Sequence, residues 1–137
     1  MKSQFHLALP CINMEKTKKF YLNILNAELG RTSFNWFDIN FYGTQITFTD
    51  TGDFNFEYES YNLGKHMLPT FHFGVIIDFE LWEQLFKKLK ANDVEITTEA
   101  IFFEKKVGEH LSFFITDPNE YTIEFKSFKN YGEVFKV

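Results

Sequence analysis

Disulfide bonding is excluded at the outset, because the 137-residue chain has one cysteine, Cys11, and a single thiol has no intramolecular partner. This fits a reducing compartment, with Cys11 read as a small buried hydrophobe. Arginine is as scarce: of 14 basic residues only Arg31 is an arginine, so no cluster of guanidinium groups for bidentate anion capture can be assembled. Positive charge is outweighed by 19 acidic residues, giving a net charge of -5. Nucleic acid and anionic membranes reward a clustered positive surface, and neither is an expected partner. No apolar run approaches the roughly 18 residues of a membrane span. The stretch FHLALPCI is short, interrupted by His6 and Pro10 and followed by lysines, unlike a secretory leader. The expectation is one soluble, cytoplasmic domain spanning residues 1–137, long enough to bury roughly 70% of its unfolded surface.

Phenylalanine is what the chain has in excess: 19 residues, within an aromatic content of 20%. With 45% hydrophobic residues the chain is not disordered, and aromatic area dominates its interior.

Part of that excess is periodic. FHLALPCINMEKTKKFYLNILN resembles FHFGVIIDFELWEQLFKKLKAN at a constant offset of 66 residues, which pairs Phe5 with Phe71, His6 with His72, Ala8 with Gly74 and Phe20 with Phe86. Each copy reads as a short strand followed by an amphipathic helix of about three turns. The first helix is expected to stop at Gly30, before the strand runs FNWFDINFY and TQITFTD; the second is followed by DVEIT, HLSFFIT and, after the turn DPNE, EYTIEFKSF. YGTQITF aligns with NEYTIEF at an offset of 77, which sets Thr47 opposite Glu124. The predicted class is α+β: tandem βαβββ modules, at about residues 4–50 and 70–128, forming a curved mixed sheet around a cup with the helices outside. Residues 51–69 form the linker and 129–137 a C-terminal tail. A connection of that length either folds over a site or a partner or is a plain linker.

Period-two alternation sorts the strand residues by face. In FHLAL, Phe5, Leu7 and Leu9 are expected to meet the helix, which leaves His6 and Ala8 on the other side; His72 and Gly74 repeat that pattern. In YTIEF the same rule sends Thr122 and Glu124 to the histidine side. Two imidazoles and a carboxylate on rigid strands suit a divalent metal that polarises an oxygenated substrate. A charge in the middle of an apolar terminal strand is costly to bury unless paired or bound. Trp36, Asp38, Asn40, Ser112, Phe114 and Thr116 share the inner face and would bind the substrate, unless Trp36 and Phe114 pack against a second subunit.

The repeat, FHLALPCINMEKTKKFY, NWFDINFYGTQ, LPTFHFGV and ITDPNEYTIEFKSF together resemble the vicinal oxygen chelate superfamily, also called the glyoxalase, bleomycin resistance and dioxygenase superfamily, over residues 4 to about 128. Within it the chain is similar to small bacterial proteins classed as predicted extradiol dioxygenases. The resemblance implies a metal held by His6, His72 and Glu124. Glyoxalase I members usually place a fourth ligand, often Glu, where this chain has Thr47, which is then a substrate-binding position. A three-residue set resembles the facial triad of iron-dependent extradiol dioxygenases, implying Fe(II), with Zn, Mn or Ni as alternatives, and a small catecholic substrate. Ring-cleaving members also use a histidine and a tyrosine for proton transfer; His110, as the catalytic candidate, and Tyr121 are nearest in sequence. A glyoxalase-type lyase or isomerase and a metal-free binding protein are the competing activities, and a homodimer is the expected assembly.

Overall fold

In the computed structural model, which describes residues 2–137, each copy of the repeat organises its own unit. One unit runs to Phe56 and takes in Asp117–Glu120; the other holds Glu57–Thr116 and the chain from Tyr121 onward.

The first unit begins with β1 (His6–Cys11) and α1 (Met14–Lys19), which Asn13 caps by accepting a hydrogen bond from the Lys16 N–H. The helix widens into a π-helical turn over Phe20–Ile24. It ends at Asn26, which takes a left-handed φ of 60°, a conformation that Asn tolerates well. Gly30 is therefore not the helix stop. It lies inside β2 (Glu28–Thr32), a strand whose residues are all exposed and which carries no alternation to reveal it. β3 (Trp36–Phe41) and β4 (Thr44–Asp50) form the expected hairpin, turned by Tyr42 and Gly43 at positive φ. The sheet order is β1-β4-β3-β2, with β1 parallel to β4 and the other pairs antiparallel. Tyr21, Leu25, Phe37, Ile39, Phe41 and Phe48 fill the helix side. Phe5 does not join them: it precedes β1 and is 66% exposed.

The second unit repeats that order. β7 (Phe73–Ile76), α2 (Phe79–Ala91), β8 (Thr98–Phe102), β9 (His110–Thr116) and β10 (Thr122–Phe128) form a sheet ordered β7-β10-β9-β8, with β7 parallel to β10. Asp78 caps α2 through the Leu81 N–H, and the helix buries Trp82, Leu85 and Leu89. Trp82 is the anchor: its indole N–H donates to the Phe125 carbonyl and its ring lies against Phe86 and Phe113. DVEIT is not a strand. Asp93, at φ 56°, and the Val94 N–H bonded to the Leu89 carbonyl finish the helix, so the strand starts at Thr98.

The linker is also structured. β5 (Ser60–Leu63) and β6 (His66–Pro69) pair as a hairpin through Gly64, and Leu68 packs with Ala100, Phe102 and Phe114. Among the described residues no helix is long and apolar enough to cross a membrane.

Candidate functional site

The inner face of the second unit brings His72 and Glu124 together. β7 and β10 run in parallel with Gly74 beside Glu124, and a Cβ at Gly74 would overlap the Glu124 backbone. Glycine thus lets the two strands close up beneath the pair. His72 sits one residue before β7, where its Nδ1 lies 3.0 Å from the Pro69 carbonyl. A carbonyl only accepts, so Nδ1 carries the proton and donates. The other nitrogen, Nε2, faces Glu124 Oε2 at 3.3 Å. Glu124 is 5% exposed; its Oε1 accepts from the Ser112 hydroxyl at 2.8 Å, and Lys126 Nζ stands 3.6 Å from Oε2.

Charge follows from this geometry. Burial alone would raise the Glu124 pKa, but the bond to His72, the Lys126 charge and the Ser112 hydroxyl outweigh it and hold the carboxyl below its ordinary range. His72 is raised, chiefly by its bond to Glu124; burial opposes this and the Pro69 carbonyl adds to it. A cleft of about 270 Å³ opens beside the pair, bounded by His72, Gly74, Ile76, Glu124 and Lys126.

The first unit arranges a different polar set on the face that alternation assigned. His6 opens β1 opposite Gln45 and is exposed, while Ala8 lies opposite Thr47 and Thr47 opposite Asp38. Asp38 is buried, at 3% exposure. It accepts hydrogen bonds from the Thr47 hydroxyl at 2.6 Å, Arg31 Nε at 2.7 Å and Gln45 Nε2 at 3.2 Å. Burial pushes its pKa up, yet the Thr47 and Arg31 bonds, the Arg31 charge and Gln45 together hold it below the usual carboxylate value. The Arg31 guanidinium lies over the Trp36 ring, 5.4 Å from its centre. Asn40 is exposed, donating to Glu28 and accepting from the Gly43 N–H.

Of the remaining positions, Phe114 meets the His72 ring edge to face at 5.5 Å and is covered by Leu68. Thr116 is exposed at the end of β9. His110 is buried, with Nδ1 on the Gly108 carbonyl and its ring stacked on Phe128 at 4.6 Å. Tyr121 is fully buried against Phe73. Among the described residues no three His, Cys, Asp or Glu side chains converge as a metal-holding group. Sequence reasoning passed over Lys126, Gln45 and Arg31. Lys126 shares the parity of Glu124 and was open to the same alternation argument, whereas Arg31 lies in the strand that alternation could not reveal.

Several solved structures are similar across nearly the whole chain. A glyoxalase/bleomycin resistance protein/dioxygenase from Alicyclobacillus acidocaldarius matches at 24% identity and a TM-score of 0.79, covering 97% of this chain and 96% of that one. The fosfomycin resistance protein FosX from Listeria monocytogenes matches at 23% identity and a TM-score of 0.72, over 100% and 99% of the two chains. A FosX variant complexed with Mn(II) and 1S,2S-dihydroxypropylphosphonic acid matches at 20% identity and a TM-score of 0.71, with the same coverage. No curated protein sequence matches significantly. The family model described as the Glyoxalase/Bleomycin resistance protein/Dioxygenase superfamily matches residues 3–125, and the chain, with its two βαβββ units, belongs to that superfamily.

Proposed function

We propose that this chain is a divalent-metal-dependent enzyme with extradiol-dioxygenase-type activity on a small substrate bearing adjacent oxygens, with His6, His72 and Glu124 as the ligand set, Fe(II) as the metal and a homodimer as the working form. The observation that carries the reading is the His72–Glu124 pair. With the Nδ1 proton committed to Pro69, a neutral His72 turns the lone pair of Nε2 toward a carboxylate oxygen 3.3 Å away. Lys126 Nζ stands 3.6 Å from that oxygen but leaves Nε2 without a donor, and a proton or a metal cation between the two acceptors would satisfy both. Imidazole nitrogen and carboxylate oxygen are ordinary donors to Fe, Mn, Zn and Ni, so the donor types of the His72–Glu124 pair fit such an ion.

Lewis acidity toward two adjacent substrate oxygens and, for iron, the redox capacity that dioxygen chemistry requires are what the bound ion supplies. The chain's own residues do the positioning. Pro69 fixes the His72 tautomer and keeps Nε2 available, and Ser112 holds Glu124 Oε1 so that Oε2 stays turned to the cleft. Phe114 walls the His72 ring, while Lys126 offsets the carboxylate's charge. Thr47 favours three ligands over four: its hydroxyl is spent on Asp38, and that carboxylate is itself held by Thr47, Arg31 and Gln45 rather than free to shuttle a proton as a glyoxalase-type isomerase requires.

Metal analysis of anaerobically purified protein, followed by Fe(II) titration, tests the reading. His72→Ala and Glu124→Ala are each expected to lose more than about tenfold in Fe(II) affinity, since loss of even an outer partner costs about tenfold or more. Oxygen uptake with catechol should accompany Fe(II) binding and vanish in both variants. Unchanged metal affinity in the variants would overturn the ligand set, turnover of a hemithioacetal without oxygen uptake would overturn the dioxygenase, and light scattering tests the dimer.

A further inference from the structure

We propose that Arg31 is a carboxylate-recognition residue, its guanidinium held on the inner face of the first unit as a subsite for the carboxylate of a small ligand. The arrangement is lopsided in a way that an ordinary surface ion pair is not. The Arg31 side chain is 71% exposed, whereas that of its partner Asp38 is 4% exposed. Exposed ion pairs contribute little to stability and need no buried acid. Here the acid is buried and held by two further donors, Thr47 and Gln45, so its position is set independently of the arginine.

That fixed acid orients the guanidinium. Arg31 uses Nε on Asp38, and no described residue accepts from its two terminal nitrogens. The guanidinium carbon also lies over the Trp36 ring, 5.4 Å from its centre, a second contact that favours this placement. Gly30 contributes as well: a Cβ there would stand 3.2 Å from the Asp38 Cβ, tighter than ordinary contact, so glycine lets β2 approach closely enough to bring Arg31 to its partner. The result is a planar fork of N–H donors facing a cavity of about 420 Å³ bounded by Gln4, Arg31, Asn40 and Gln45. A carboxylate accepts two parallel bonds from such a fork.

The subsite shares its sheet face with His6. Asp38 lies across from Thr47, Thr47 across from Ala8, and His6 two residues before it. β1 and β2 are the outer strands of the sheet, about 14 Å apart at three strand spacings, and the arginine arm reaches inward over part of that span. The proposal deepens the function given above, and rests on that reading only for what the carboxylate belongs to: a substrate whose carboxylate is several bonds from its adjacent oxygens.

The test uses chelator-treated, metal-free protein, so its failure is separate from failure of the metal reading. Because Arg31 is the sole arginine, the guanidinium Nε–H gives a single signal in a proton–nitrogen correlation spectrum. Benzoate is expected to shift that signal saturably, and benzamide, equal in shape but neutral, to leave it in place. Arg31→Lys should weaken benzoate binding by about fivefold or more, because ammonium cannot reproduce the fork, while the rest of its spectrum stays that of the folded protein. An Nε–H signal unmoved by benzoate, an equal response to benzamide, or full benzoate affinity in Arg31→Lys would reduce the arrangement to an ordinary surface ion pair and overturn the proposal.

Discussion

Asp38 shows what a single buried carboxylate does to the pH response of the protein. Its folded pKa lies below the ordinary aspartate value, held there against burial by Thr47, Arg31 and Gln45. A depressed acid contributes stability that is fully present above the unfolded value and is lost as pH falls through the folded one. Resistance of the wild type to urea should therefore fall as pH drops below the ordinary aspartate pKa of about 3.9, and Asp38→Asn should show a shallower acid loss. At neutral pH the same variant should be less stable by about 1–3 kcal/mol, the range for disturbing a buried hydrogen-bonded group. Cys11 makes the opposite case. It is fully buried, and burial first, then the charges of Asp50 and Asp117, push its thiol up to about 11 against a lowering bond from Thr17. Native protein at pH 8 should leave a disulfide reagent unreacted and consume it stoichiometrically once unfolded; fast native labelling would show an accessible thiolate instead. At this scale legibility followed burial pattern. Alternation put Glu124 and Asp38 on the inner face, but which neighbours hold an acid depends on cross-strand register, which alternation leaves open.

The β5–β6 hairpin makes the same point for elements. Its eight strand residues bury only Leu68 fully, so no alternation marks them, and the run reads as a linker. Gly64, at φ 60°, was the one turn signal present. The βαβββ order was legible because β3, β4, β9 and β10 alternate or are buried and because the repeat doubled each signal; β2, exposed throughout, needed the structure. Leu68 is 2% exposed, whereas its neighbour Met67 is 66% exposed. Leu68→Ala should cost about 2–5 kcal/mol in denaturant unfolding through the cavity it leaves beside Ala100, Phe102 and Phe114. Met67→Ala should stay within about 0.5 kcal/mol. Equal effects would mean that the hairpin is a loose flap rather than part of the second unit's core.

Across the whole molecule, the chain crosses between its two compact units more than once. The turn Asp117–Glu120 is formed between β9 and β10 of the second unit, yet it belongs with the first. Asn119 accepts the Ile12 N–H in a partly buried bond and donates to the Thr17 hydroxyl, while the Tyr21 hydroxyl donates to Asp117, these last two bonds being buried. The turn is closed by the hairpin of β9 and β10, with Thr116 paired to Thr122. Because β9 and β10 flank this turn in the chain, opening of their hairpin is expected to loosen the turn's bonds to Ile12, Thr17 and Tyr21 as well. In native-state hydrogen exchange, the slowest amides of β4 (Ile46, Phe48) and of β9 (Phe113, Ile115) are expected to report one common opening free energy. Asn119→Ala removes three side-chain bonds, two of them buried, and should lower protection in β4 by about 1–3 kcal/mol while leaving β9 closer to its original value. Wild-type β4 and β9 amides that already exchange at different opening energies would show the units to be independent, and the shared turn to be a contact without consequence for folding.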